Sequence, residues 1–433
     1  MMSPNNQKTK KSILSYILLT AGIALVYFVS AKLGLQLASV NPSATAVWPP
    51  TGIAIACLLI FGYRASLGIF IGAFFGNLTT AGTIITSLGI ATGNMLEGIV
   101  SAYLVNKFAH GKKALNQSLD VFGFILFAGI IGTMVSASIG VTTLLLGGLL
   151  HLVNLQATWI TWWLGDMAGA LTVAPLLIAI SNIRRHNWNF EKIFEMASFL
   201  ILLTAATVIT FGLSPFGGLK NYPLIFIPIP FLLWAAFRFE QEGVTLGIII
   251  VSAIAVWATT YGIGPFAHIP LNDSLLLLGT FMSITAAAML STAGVVSERR
   301  QTIDALAVQE RRFRKLIEKN TDVIFLVDSH AIIRYVSPSI ELILGYKPEE
   351  LLGVNRFSLI HPDDLQNAKQ AFNALTQNLG NTFKIKTRSR KKDGVWLWVE
   401  SIGTNLLDDP DVHAIVINYR DINQENENQK IKS

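Results

Sequence analysis

The sequence predicts a polytopic α-helical membrane domain followed by a small α+β domain with a five-stranded antiparallel sheet. Two observations predict it. Hydrophobic residues make up 52% of the 433 and charged residues only 14%, and the charges crowd after about residue 300. Before that point the chain is a series of long apolar runs, and after it come short alternating runs separated by turn residues. Lys and Arg number 15 before residue 301 and 18 after it, against 9 and 18 Asp and Glu, so the net charge of +6 lies wholly in the apolar part. That distribution points to membrane topology and not to a nucleic-acid partner. The one cysteine, Cys57, lies in an apolar run, which excludes an intrachain disulfide and a cysteine-based metal site.

A hydrocarbon core of about 30 Å needs about 20 apolar residues per helix. Ten runs qualify, near 13–31, 48–63, 66–81, 83–106, 119–145, 158–181, 193–213, 222–237, 243–262 and 272–296. Several are short, and eight is the competing count. Lys8, Lys10 and Lys11 before the first run resemble a signal peptide, but further spans follow at once, so the run is read as a retained helix. Ten helices with a cytoplasmic start put 13 basic residues inside, Arg184 and Arg185 among them, and only Lys32 and Lys220 outside. The even count also makes residues 301–433 cytoplasmic.

Three polar features interrupt the apolar runs. Trp48-Pro49-Pro50-Thr51-Gly52 opens the second, where proline suits a helix start and tryptophan an interface. Trp159, Trp162, Trp163, Gly165 and Asp166 lie in the sixth. Asn94 and Glu97 sit one turn apart in the fourth, on one helix face. Ionisable groups in a bilayer are costly and mark function by default. The alternative is an interhelical hydrogen bond that fixes packing. Trp48, Asn77, Glu97, Trp162, Trp163 and Asp166 form the candidate sensory constellation, with no ligand specified. Gly68, Gly72, Gly76, Gly89 and Gly93 are read as close-packing positions.

WPPTG at 48–52, GIFIGAFFGN at 68–77, GNMLEG at 93–98 and WWLGDMAGALTVAPLL at 162–177 resemble the first class of membrane-associated sensor (MASE) domains, over residues 13–296. The resemblance implies a bacterial integral-membrane sensory input, usually fused to a PAS domain and then to a histidine kinase or a cyclic-di-nucleotide enzyme. It implies no catalytic residue.

Residues 297–319 hold no Gly or Pro and read as a linker helix with a rough apolar stripe of Ile303, Leu306, Phe313, Leu316 and Ile317. A dimer-forming signalling helix and a helix packed on its own domain both fit that stripe. Strands are expected at Val323–Asp328 and Ile332–Val336, helices near 338–343, 348–352 and 362–377, then strands at Phe383–Arg390, Val395–Asn405 and Val412–Arg420. Lys392-Asp393-Gly394 supplies a hairpin turn. NTDVIFLVDSHAIIRYVSPSIELILGYKPEELLG, HPDD at 361–364, RKKDGVWLWVES at 390–401 and YRDIN at 419–423 resemble a PAS domain over 312–424, with its C-terminal PAC segment at 381–424. The resemblance implies a sensor fold that often dimerises. A polar tail at 425–433 looks like the start of an exit helix.

Light-sensing flavin chemistry needs a cysteine, which this domain lacks, so cysteine-linked flavin photochemistry is excluded. His330, His361 and His413 sit in turns or at element ends, a poor setting for an axial haem ligand. The cofactor stays unspecified. Phe325, Tyr335, Phe357, Trp396 and Trp398 are the candidate PAS interior or interface positions, and the two tryptophans share one sheet face. The sequence holds no P-loop, kinase glycine pattern, GGDEF-like or EAL-like segment and no zinc spacing. The expectation is therefore a non-catalytic inner-membrane sensory receptor. It would form a homodimer through the linker helix and PAS domain, and would signal to a separate kinase or cyclase. A truncated input half of a diguanylate cyclase or sensor histidine kinase, and a permease with a regulatory PAS domain, are the alternatives.

Overall fold

A computed structural model describes residues 4–38, 41–182, 190–212, 224–267, 270–377 and 380–422. Arg184, Arg185, Lys220 and the 425–433 tail lie outside the described residues. The chain divides into two compact units, Met1–Thr302 and Ile303–Ser433.

The first unit is helical. It comprises α1 (Pro4–Leu35), α2 (Pro49–Phe61), α3 (Ser66–Leu78), α4 (Ile84–Phe108), α5 (Ser118–Phe124), α6 (Thr133–Leu146), α7 (Leu155–Asn182), α8 (Phe190–Thr207), α9 (Pro228–Arg238), α10 (Glu240–Thr260) and the first part of α11 (Leu271–Glu318). A π-helical stretch, Ile125–Gly132, joins α5 to α6 in one rod. Among the described residues, seven helices are long and apolar enough to cross a bilayer. The other three expected spans are short. α2 and α3 have 13 residues each, and α9, the described part of the 222–237 run, has 11. Thirteen residues make about 20 Å of helix, less than a hydrocarbon core.

The short α2 has a physical origin. Gly62 ends it with φ of 75°, a conformation that favours glycine. Its start lies deep in the bundle, because the Trp48 backbone N–H donates to the Gly165 carbonyl at 3.1 Å. Gly165 is ten residues into α7, about 15 Å along that helix. A helix start normally leaves unpaired N–H groups. Here Pro49 and Pro50 occupy the first two positions and have no N–H to leave. Trp48 is buried, so it is an interior residue and not the interfacial anchor its position in the sequence suggests.

Close backbone approach seats α2 against α7. A Cβ on Gly52 would lie 2.6 Å from the Val173 Cβ and 2.8 Å from the Ala174 nitrogen, and one on Gly169 would collide with the Trp48 carbonyl. The level of α3 is set from the other side. Lys32 near the end of α1 donates to the Thr79 carbonyl at 3.1 Å and to the Thr80 hydroxyl at 2.9 Å, just past the end of α3.

The second unit is an antiparallel sheet of order β2-β1-β5-β4-β3, with β1 Val323–Val327, β2 Ile333–Val336, β3 Thr382–Arg390, β4 Trp396–Leu406 and β5 Ala414–Asp421. α12 (Ser339–Leu344), α13 (Pro348–Leu351) and α14 (Pro362–Thr376) fall between β2 and β3. Val323, Phe325, Val327, Phe372, Val399, Ile417 and Tyr419 form the core. The HPDD segment has a mechanical role. His361 Nδ1 accepts from the Asp363 backbone N–H at 3.2 Å as the cap of α14, and Asp364 accepts from the Arg388 backbone at 2.8 Å, tying α14 to β3.

Of the candidate PAS positions, Phe325 is buried and Phe357 packs against the core. Tyr335, Trp396 and Trp398 are exposed, so they are not interior residues. The strand period puts both tryptophans on the sheet face opposite the core.

Candidate functional site

The first turn of α2 carries Thr51 into the bundle, where its hydroxyl meets two acids from two other helices. The Thr51 Oγ1 lies 3.0 Å from Glu97 Oε2 on α4 and 2.9 Å from Asp166 Oδ1 on α7. All three residues are essentially inaccessible. A threonine hydroxyl holds one hydrogen and donates once. For both contacts to be hydrogen bonds, one carboxyl must carry a hydrogen and donate it to Thr51. The trio is therefore a shared-proton arrangement rather than two free carboxylates.

A second chain of hydrogen bonds runs alongside. Trp162 Nε1 on α7 donates to Ser136 Oγ on α6 at 3.1 Å, and Ser136 Oγ donates to Asn94 Oδ1 on α4 at 2.8 Å. The Tyr27 hydroxyl of α1 lies near Trp48, Asn94, Glu97 and Asp166. Five buried atoms here make no well-formed hydrogen bond among the described residues: the Tyr27 hydroxyl, Trp48 Nε1, Asn94 Nδ2, Glu97 Oε1 and Asp166 Oδ2. Buried polar atoms without partners are few in folded proteins, and each calls for an explanation. Their concentration here, with three potential donors and two acceptors, can serve a polar ligand, ordered water or a mobile proton. Among the described residues no group of three His, Cys, Asp or Glu could hold a metal ion.

Trp48, Glu97, Trp162 and Asp166 are thus brought together, as the sequence suggests. Asn77 and Trp163 are not part of the cluster. Asn77 Nδ2 donates within its own helix to the Ala73 carbonyl at 3.0 Å. Trp163 Nε1 donates to the Ile130 carbonyl in the π-helical stretch at 3.2 Å, and its ring stacks on Trp159 at 5.5 Å. Tyr27 and Ser136 are members that sequence reasoning misses, because a lone tyrosine or serine in an apolar run carries no pattern. Thr51 lies within the WPPTG element and reads there as part of a helix cap.

A family model named MASE1 matches residues 19–301, about two thirds of the chain. The chain belongs to the MASE1 family. A second model, the PAS fold, matches residues 333–417 of this MASE1 protein. The protein is 22% identical over 426 residues to the "Probable diguanylate cyclase DgcE" of Escherichia coli K12, covering 92% of this chain and 35% of that one. It therefore spans about a third of that relative's length. White collar 2 protein of Neurospora crassa is 36% identical over 89 residues, 21% of this chain and 17% of that protein. Among solved structures, the PAS domain of an HTR-like protein from Haloarcula marismortui is 21% identical with a TM-score of 0.26, covering 28% of this chain and 99% of that one. The MASE1 protein is thus a multi-pass membrane sensor with a PAS domain, and no catalytic domain appears among its described residues.

Proposed function

We propose that this MASE1 protein takes its input at the Thr51–Glu97–Asp166 cluster and passes it along α11 to the PAS domain. The chain itself performs no catalysis. The domain in turn controls a diguanylate cyclase output, in the same protein or in a partner, within a bacterial inner membrane. The observation that carries this reading is the meeting of two acids from separate helices on one hydroxyl of a third. Binding or loss of a ligand or proton there changes the contacts of α2, α4 and α7 together. A stimulus shifts a conformational equilibrium only if it binds the two states unequally, and a site shared among helices gives it that leverage.

If the short α2, α3 and α9 also cross, which restores ten spans, the charge split of 13 basic residues to 2 supports a cytoplasmic N-terminus and PAS domain. Ile303, Leu306, Phe313 and Leu316 are exposed on α11, which supports a second copy as the partner of that stripe.

The test is to fuse a diguanylate cyclase domain after Ser433 and compare the parent with Asp166→Asn and Glu97→Gln. Each variant keeps shape and hydrogen bonding but removes an ionisable group. The expected result is inserted, folded protein whose cyclic-di-GMP output is shifted several-fold and no longer follows the parent's response. Parental output from both variants would overturn the reading, and solute accumulation in proteoliposomes would replace it with a permease.

A further inference from the structure

The PAS core holds a buried cation without a counter-ion among the described residues. Arg356 opens a single helical turn, Arg356–Leu359, between α13 and α14, and is 4% exposed. Its backbone N–H donates to the Ala331 carbonyl at 2.8 Å, which fixes where the side chain enters. The guanidinium carbon lies 4.8 Å from the Phe325 ring centroid and 5.0 Å from that of Tyr419. Aromatic faces attract a cation but offer no lone pair to its N–H groups. Its Nε and Nη1 have no hydrogen-bond partner. Burial lowers the Arg356 pKa, yet arginine stays protonated in proteins. An unpaired buried charge is costly, and proteins normally pair it.

What faces Arg356 is a set of hydroxyls. Thr387 and Ser389 lie two residues apart on the inner face of β3, and Tyr419 lies on β5. All three hydroxyls are buried; those of Tyr419 and Ser389 face each other, and that of Thr387 has no partner among the described residues. Burial pushes the Tyr419 hydroxyl up to about 12, so it keeps its hydrogen at neutral pH and can donate. A cavity of about 20 Å³ lies beside this group. Arg356, Thr387 and Ser401 line its polar side, Phe357, Phe372 and Phe383 its apolar side, and no acidic residue lines it. A space of that size holds about one water-sized group. A positive charge, guanidinium N–H groups without a partner and the Thr387 hydroxyl, with no carboxylate among the described lining residues, suit an acceptor that carries negative charge.

We propose that the PAS core binds a small monovalent anion, a halide or the carboxylate of a short-chain acid, with Arg356 as its charge partner and Thr387 as its hydroxyl donor. The anion neutralises the only buried guanidinium of the described PAS core. It therefore stabilises the folded domain by RT ln(1 + c/Kd), with c the free anion concentration. This site is separate from the membrane cluster and does not rest on its role.

The test is hydrogen–deuterium exchange of the full chain in nanodiscs, read at β3 and β5 peptides, at constant ionic strength. Sodium gluconate is exchanged for sodium chloride in one arm and for sodium formate or acetate in another. Protection is expected to rise with anion concentration in at least one arm, and the arm in which it rises identifies the anion as halide or carboxylate. At 100 times the dissociation constant, exchange through global opening slows by about 100-fold. Arg356→Met keeps bulk and removes the charge, and it should abolish the dependence. Thr387→Val keeps the charge and should raise the anion concentration needed for a given protection several-fold, which keeps the test decisive if Arg356→Met does not fold. A parent with no anion dependence, an Arg356→Met chain that folds and keeps the dependence, or a Thr387→Val chain with the parental dependence would each overturn the proposal.

Discussion

Replacing Thr51 by valine removes one hydroxyl and leaves the side-chain shape almost unchanged. Two contacts disappear, the 3.0 Å one to Glu97 and the 2.9 Å one to Asp166. The other oxygen of each carboxyl makes no well-formed hydrogen bond among the described residues, and Ser136 and Trp162, which lie beside Asp166, already bond elsewhere. Leaving a buried polar atom unpaired costs about 1–3 kcal/mol, so the two together should cost about 2–6 kcal/mol. Thr51→Ser is the control. It keeps the hydroxyl and loses one methyl group, worth about 1 kcal/mol in a packed interior. The chain supplies its own probe. Cys57 is its single cysteine and lies six residues beyond Thr51 on α2, partly buried. A maleimide fluorophore in detergent-solubilised protein should label it as α2 comes loose during heating. The expected order of midpoints is parent, then serine, then valine. In a Glu97→Gln, Asp166→Asn background the valine substitution should cost a different amount, since groups in one hydrogen-bond network are not additive. Serine and valine variants that melt together would refute the shared-proton bridge and leave Thr51 as a packing residue.

Gly169→Ala places a methyl group against the Trp48 carbonyl and 3.3 Å from the Pro49 Cα, so α2 must shift. Overpacking of this kind costs about 1–3 kcal/mol and should speed labelling of Cys57, while parental labelling would show that the approach is not tight. In the PAS domain, hydrogen bonds from Arg388 hold Asp364 below its ordinary pKa. A carboxylate with a lowered folded pKa adds stability that is present above the unfolded value, about 3.9, and is lost as pH falls through the folded value. Asp364→Asn should therefore expose β3 to hydrogen exchange at pH 7 and differ less from the parent at pH 3, and equal differences at both would count against the clamp. On α11, Leu306→Cys in a Cys57→Ala chain should cross-link between copies in membranes, and purely monomeric protein after oxidation would argue against a second copy at that stripe.

Much of the fold is legible in the sequence because it is periodic. Val323–Val327 and Trp396–Leu406 alternate in burial as their side-chain pattern requires, and Gly394 with φ of 89° sits where Lys392-Asp393-Gly394 marks the turn. Depth is another matter. Hydropathy ranks Pro49–Phe61 with the other apolar runs, and nothing local says that it starts beside the middle of α7 and not at a membrane surface. Polar residues inside apolar helices pose the reverse difficulty. Asn77 and Glu97 look alike in the sequence, but Asn77 is satisfied by the carbonyl four residues back, while Glu97 depends on a residue 46 positions away. Arg356 reads as an ordinary charged residue in a loop, and only the tertiary fold puts it between two rings.

The proposed signal route turns on how firmly α11 is held where it leaves the bundle. Glu298 accepts from the Ser118 hydroxyl at 2.7 Å and from its backbone N–H at 3.0 Å. Arg300 donates to Glu240 at 2.8 Å and to the Phe237 carbonyl at 2.8 Å. Both contacts are exposed, and a solvated ion pair such as Arg300–Glu240 contributes only about 0–1 kcal/mol. Allosteric coupling energies are commonly about 1–3 kcal/mol. A change at the buried cluster, worth about 2–6 kcal/mol in lost or gained hydrogen bonds, is therefore larger than what keeps Arg300 in place. No glycine or proline interrupts α11 between Gly294 and Glu318, so a shift at its membrane end has no flexible joint to absorb it. The exposed latch can release while the buried site stays intact. This predicts that Glu240→Gln alters output with little effect on Cys57 melting, whereas Thr51→Val alters both. If Glu240→Gln also lowered the melting midpoint as much as Thr51→Val, the latch would belong to the structural core and the route through α11 would fail.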